Sequence, residues 1–143
     1  MNPTSGTFQR GCVTKVTVDI DATGQTSNAA DLVINYDPTR ITIVDSNANS
    51  PGIQIKSGNA FDGYFYNNVD TGSGVIRLSG GSQTVLTSKK VFAEIEFYSS
   101  NNATSSSFDI KFDGVGVTTD SNVVDANTNN DLLTSATDAT YTF

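Results

Sequence analysis

The chain has 143 residues, a formal net charge of −7, no His, no Trp and one Cys. That length suits a single domain. The acidic balance works against nucleic acid and anionic membrane as partners, the single Cys excludes an internal disulfide, and the missing His removes the usual triad and zinc chemistries.

Thr, Ser, Asn, Val and Asp dominate, and no window of ten residues carries a helical stripe, so the composition reads as all-β. No run is long and apolar enough to span a membrane. The polar Met1-Asn2-Pro3 opening is no signal peptide, and the whole chain, residues 1–143, is read as one module of a larger protein.

Thr4 to Gly11 is turn-like. Cys12 to Ile20 alternates as a strand, with Cys12, Val16, Val18 and Ile20 inward, which makes Cys12 a small buried hydrophobe. Asp21 to Ser27 is a polar loop. From Asn28, Ala30, Leu32, Ile34 and Tyr36 alternate with Asp31, Val33 and Asn35, the period of a strand with one buried face. Pro38 fixes its own φ and lacks a donor, so this strand ends at the Tyr36-Asp37-Pro38 corner, and Ile41 and Ile43 begin another. Phe61 to Val69 and Val75 to Ser79 form a hairpin around Asp70 to Gly74, ended by Gly80-Gly81. Val91 to Tyr98 is a late strand with Val91, Ala93, Ile95 and Phe97 inward and Phe92, Glu94, Glu96 and Tyr98 outward. Phe108, Ile110 and Phe112 form another inward set, a short strand is expected at Val115 to Val117, and Ala139 to Phe143 closes the chain. Eight or nine strands without intervening helices predict a two-sheet β-sandwich.

The alternating strand with its Tyr-Asp-Pro corner, followed by a Gly-rich hairpin and then Thr87-Ser88-Lys89-Lys90-Val91-Phe92-Ala93-Glu94-Ile95-Glu96-Phe97, resembles the cohesin domain. Cohesins are receptor modules that bind dockerin modules in cellulosomes and other microbial surface assemblies. The resemblance implies a jelly-roll sandwich, a non-catalytic role, an extracellular or cell-surface location and a dockerin-like partner docked on one sheet face. It implies that this face is built from the Tyr-Asp-Pro strand, the hairpin strands and the Val-Phe-Ala strand. The outward residues on those strands are Ala29, Asp31, Val33 and Asn35, then Val75, Arg77 and Ser79, then Phe92 and Glu94. Val33, Val75 and Phe92 would form an apolar centre rimmed by Asp31, Arg77 and Glu94. Asp31 stands where cohesins carry an acidic residue for the dockerin helix. Ala29 replaces the Asn found in many, and Gly80-Gly81-Ser82 replaces a charged strand end, which marks a divergent member. Asn2-Pro3-Thr4-Ser5-Gly6 resembles the corner that follows a first edge strand, so that strand is expected to be missing, leaving an edge open to a homodimer.

No carboxylate pair among the fifteen acidic residues sits in an acid–base setting. No cofactor is required on this reading. Calcium is the metal that oxygen ligands alone can hold, and the densest oxygen cluster, Asp120 to Asp131, offers Asp120, Asp125 and Asn127. It lacks the Gly and Glu of an EF-hand. A polysaccharide-binding module is the second reading. Tyr64, Phe65 and Tyr66 supply its aromatics, divided between core and surface, but the absence of Trp counts against it. A structural spacer of a surface layer is the third.

Overall fold

The computed structural model describes all residues, Met1–Phe143. It contains eleven strands: β1 Ser5–Thr7, β2 Thr14–Asp21, β3 Ser27–Tyr36, β4 Ile41–Ile43, β5 Lys56–Ser57, β6 Gly63–Asp70, β7 Val75–Leu86, β8 Lys89–Ser99, β9 Ser105–Ile110, β10 Asn122–Asp125 and β11 Ala139–Thr142. Seven form one sheet in the order β1-β11-β9-β3-β7-β6, with β10 beside β3. Four form the other, β2-β8-β4 with β5 on β8. The chain passes back and forth between the sheets, as expected of a jelly-roll sandwich. The strand count exceeds the expected eight or nine because β1, β5 and β10 are too short to show a period.

The core lies between the sheets and follows from strand alternation. Val16, Val18 and Ile20 of β2, Ile34 and Tyr36 of β3, Ile76 and Leu78 of β7, and Ile95 and Phe97 of β8 all point into it. At roughly 1.5–3 kcal/mol for each fully buried side chain, this alternation dominates the folding energy. Phe8, Phe97, Phe108 and Tyr141 pack as an aromatic group at one end, with Phe97 and Tyr141 stacked at 5.8 Å.

The Asp-Pro corner carries the chain from one sheet to the other. Asp37 Oδ1 accepts bonds from the Thr39 N–H and hydroxyl at 2.9 and 2.6 Å, and the Arg40 guanidinium lies 3.1 Å from the same carboxylate. Gly74 packs on this corner. Its φ is +69°, and a Cβ there would collide with the Tyr36 carbonyl oxygen, so only Gly fits.

Four expectations change. The first edge strand is present: Asn2 bridges Thr17 of β2, and β1 runs parallel to β11, so the N-terminus touches both sheets. Cys12 lies exposed before β2, which begins only at Thr14. Gly80 and Gly81 do not end the hairpin, for β7 continues to Leu86. Val115 is exposed in a loop, and the late strand is β10, inside the segment read as an oxygen-rich loop.

Candidate protein-docking face

The outer surface of the seven-stranded sheet can be written as cross-strand rows. Val124, Ala29, Gly81 and Gly63 form the first. Asn122, Asp31, Ser79 and Tyr66 form the second. Val33, Arg77 and Asn68 form the third, and Asp109, Asn35, Val75 and Asp70 the fourth. Seven of the nine sequence-derived positions are therefore brought together: Ala29, Asp31, Val33, Asn35, Val75, Arg77 and Ser79.

Phe92 and Glu94 do not join them. Strand β8 belongs to the four-stranded sheet, so its outward residues face the other side of the sandwich. Phe92 is moreover 1% exposed. The pairing of β2 with β8 jumps from Val18–Ala93 to Asp19–Val91, leaving Phe92 as the extra residue of a bulge. The bulge breaks strict alternation, so Phe92 and Ala93 both face the core. Phe61 and Tyr64 pack on the Phe92 ring at 5.7 and 5.5 Å. Glu94 points outward and is held by Lys15 at 3.0 Å and Lys56 at 2.9 Å. Those bonds, Lys56 first and Lys15 second, hold its carboxyl below the usual glutamate value.

Val33 is on the docking face by parity but is buried. It lies at the seam where β3 leaves β10 and meets β9. Ser121 Oγ accepts from its N–H at 2.9 Å, and the Lys111 N–H donates to its carbonyl at 2.9 Å. Val75 is only half-buried. The apolar centre expected from Val33, Val75 and Phe92 thus does not form.

Another one does. Strand β6 carries its own bulge: Tyr64 pairs Gly80 and Tyr66 pairs Ser79, leaving Phe65 extra. Tyr64 turns inward and its hydroxyl donates to the Phe92 carbonyl at 3.1 Å. Phe65 and Tyr66 are both exposed, at 77% and 50%. The Phe65 ring rests over the first row, where a Cβ on Gly63 or Gly81 would come within 3.2 Å of it. Gly63 and Gly81 thus form the seat on which this ring lies. Sequence reasoning missed Phe65 because strict alternation places neighbours on opposite faces. The available signal was the set of glycines, Gly63, Gly80 and Gly81, around three consecutive aromatics.

The face is acidic. Asp31, Asp70 and Asp109 stand in its rows with Arg77 as their one cation. Asp70 is held below the usual aspartate range, chiefly by the Ser73 hydroxyl at 2.7 Å. Neither Asp31 nor Arg77 forms a salt bridge within the chain; Lys15, Arg40, Lys56, Lys89 and Lys111 do, and Lys90, like Arg77, does not.

The cohesin-domain family model matches residues 4–134, nearly the whole chain. The chain belongs to the cohesin family. Solved cohesins share its fold. The third ScaC cohesin of Acetivibrio cellulolyticus, solved with the ScaB dockerin, aligns at a TM-score of 0.71 and 14% identity, covering 97% of this chain and 93% of that one. CaCohA2 from Clostridium acetobutylicum aligns at 0.72 and 16%, covering 96% and 85%. A non-cellulosomal cohesin from the archaeon Archaeoglobus fulgidus aligns at 0.66 and 12%, covering 97% and 85%. No curated protein matches significantly. At such identities these structures speak for the fold, and the partner of this cohesin has to be argued from its own face.

A cohesin domain needs no cofactor, and no group of three or more His, Cys, Asp or Glu residues is arranged here to hold a metal ion. The three oxygen ligands singled out in the sequence are engaged separately. Asp125 Oδ1 accepts from the backbone N–H groups of Asn127 and Thr128 at 2.7 and 3.2 Å. The Asn127 amide donates to Thr26 Oγ1 at 2.8 Å. Asp120 is buried and accepts from the Asp113 N–H.

Proposed function

We propose that this cohesin domain is a non-catalytic adaptor that binds a dockerin-type module on the outer face of its seven-stranded sheet, in an extracellular or cell-surface assembly. One observation carries the reading: Asp31 and Arg77 stand without an ion-pair partner on a flat face that also exposes Phe65 and Tyr66. Charged groups that a chain leaves unpaired beside exposed aromatic rings make a polar rim around an apolar centre, the layout of protein interfaces. The excess of carboxylates over cations on the face favours a partner surface that is basic. A helix suits it, because a rod laid across the strands can meet the Phe65 ring where it rests on Gly63 and Gly81.

The test is calorimetric titration with dockerin modules encoded in the same genome, with calcium and then after chelation on the dockerin side. Saturable one-to-one binding that weakens in Asp31→Ala and Arg77→Ala is the expected result. Absence of binding to every dockerin, with the cohesin folded and monomeric, would overturn the reading in favour of a structural spacer.

A further inference from the structure

We propose that Asn102 is a modification site that receives an N-linked saccharide. Asn102-Ala103-Thr104 has the Asn-x-Thr pattern of a glycosylation acceptor. The chain holds one other such triplet, Asn2-Pro3-Thr4, and its central proline bars it. No further Asn is followed two residues later by Ser or Thr. The inference rests on the extracellular location proposed above, where such a transfer takes place, and is independent of the docking reading.

The fold presents this triplet at a loop tip. It lies between β8 and β9, where Asn101 and Asn102 form a turn closed by the Ala103 N–H, which donates to the Ser100 carbonyl at 3.1 Å. Ala103 is 3% exposed and anchors the turn, whereas Asn102 and Thr104 on either side of it are exposed. The base of the loop is tied down. The Ser100 N–H donates to the Arg40 carbonyl at 2.8 Å, the Arg40 guanidinium to the Ser105 carbonyl at 2.9 Å, and the Phe143 N–H to the Thr104 carbonyl at 3.0 Å. All of these bonds use the backbone of the loop, so the Asn102 and Thr104 side chains stay free. The amides that the fold does use are engaged: those of Asn47, Asn67 and Asn127 donate to Ser50, Ile55 and Thr26 at 2.8, 2.6 and 2.8 Å.

The chemistry asks for an accessible amide and a hydroxyl two residues on. The co-substrate is a saccharide carried on a lipid phosphate. Asn102 Nδ2 attacks its anomeric carbon. The N–C bond forms as the C–O bond to the phosphate breaks, the amide nitrogen gives one proton to solvent, and the lipid phosphate leaves. The Thr104 hydroxyl is the group by which a transferase tells this triplet from an ordinary Asn. The product leaves the docking face clear. Asp109 is the docking-face residue of β9, and the five residues from Thr104 to it span about 17 Å of strand. A glycan on Asn102 therefore stands at the end of the sandwich, beside Arg40, as a bulky, hydrated surface group.

The experiment is mass spectrometry of the protein isolated from the cells that make it, with the cytoplasm and the exterior collected separately. Trypsin releases the triplet within the peptide Val91–Lys111. The expected result is a saccharide mass on this peptide in the exterior fraction, placed on Asn102 by fragmentation, lost in Thr104→Val and kept in Thr104→Ser. Asn102→Gln serves as the second variant, and all three change an exposed side chain, so the fold is kept. The inference is overturned by an unmodified Val91–Lys111 peptide in the exterior fraction, by a saccharide on the hydroxyls of Thr104 to Ser107 instead, or by one that survives Thr104→Val. Protein found only in the cytoplasm would overturn the location, and the inference with it.

Discussion

The Phe65 ring lies against Gly81, where a Cβ would sit 3.2 Å from its Cε2 atom. The ring is supported from beneath yet 77% exposed, which is the state of an anchor awaiting a partner. Phe65→Ala is expected to weaken dockerin binding by about 2 kcal/mol, roughly 30-fold, as for a central aromatic contact. Stability should move by no more than about 0.5 kcal/mol, because the site is on the surface. Gly81→Val, which pushes the ring off its seat, should weaken binding in the same direction. Calorimetry and thermal melts separate the two quantities; a Phe65→Ala variant with undiminished affinity would remove Phe65 from the interface while leaving the dockerin reading open to Asp31 and Arg77.

Phe92 should behave in the opposite way. It is enclosed by Phe61, Tyr64 and the core. Truncation to Ala leaves a cavity costing about 3–5 kcal/mol, visible as a lower urea midpoint. Affinity measured where the variant is still folded should stay within about threefold of the parent, an indirect effect worth less than 1 kcal/mol. A variant that lost affinity while keeping its urea midpoint would contradict the bulge that turns Phe92 inward.

Acid should destabilise this domain partly through Glu94. Its folded-state value lies below the ordinary glutamate value of 4.5, because Lys56 and Lys15 bond the charged form. A depressed value means that the unfolded chain takes up the proton first. The stabilisation is therefore present above about pH 4.5 and is lost as pH falls through the folded value. Melting temperatures of Glu94→Gln, followed from about pH 6 down to pH 3, should show a shallower decline than the parent. Parallel curves would show that the two lysine contacts add nothing, as many exposed pairs do.

Alkali should act through Tyr141. Burial pushes its hydroxyl up to about 12 from 10.0, and that hydroxyl donates to the Pro3 carbonyl at 2.6 Å. A raised folded value means that the unfolded chain releases the proton first. The contribution is complete below pH 10 and is lost as pH rises towards 12. Tyr141→Phe should cost about 1 kcal/mol near neutrality for the lost hydrogen bond and flatten the alkaline limb of the stability curve. Some slope will remain, since burial also raises Tyr36 and Tyr64.

Much of this molecule is legible in its sequence, because a period of two has one physical cause. Where Leu32, Ile34 and Tyr36 alternate with Asp31 and Asn35, one face must leave water, and the strand, its core side and its outward side follow together. The Tyr36-Asp37-Pro38 corner is equally local, since Pro38 ends the strand by its ring and Asp37 caps the turn through its own neighbours. Alternation showed that Asp31 and Arg77 each point outward, and the resemblance to cohesins implied that their strands share a face, since β3 and β7 are distant in the chain. Tertiary structure decided the rest. Which sheet β8 joins depends on pairing partners far along the chain, so nothing within Val91–Tyr98 could say that Glu94 faces away from Asp31. The bulges at Phe92 and Phe65 arise where two strands of unequal local length must stay in register, and each turns a side chain to the face that alternation denies it. One bulge takes Phe92 from the outer face of the four-stranded sheet into the core, and the other puts Phe65 and Tyr66 side by side on the outside of the seven-stranded one. The partner β11 for the three residues of β1 was likewise invisible, because it enters from the far end of the chain.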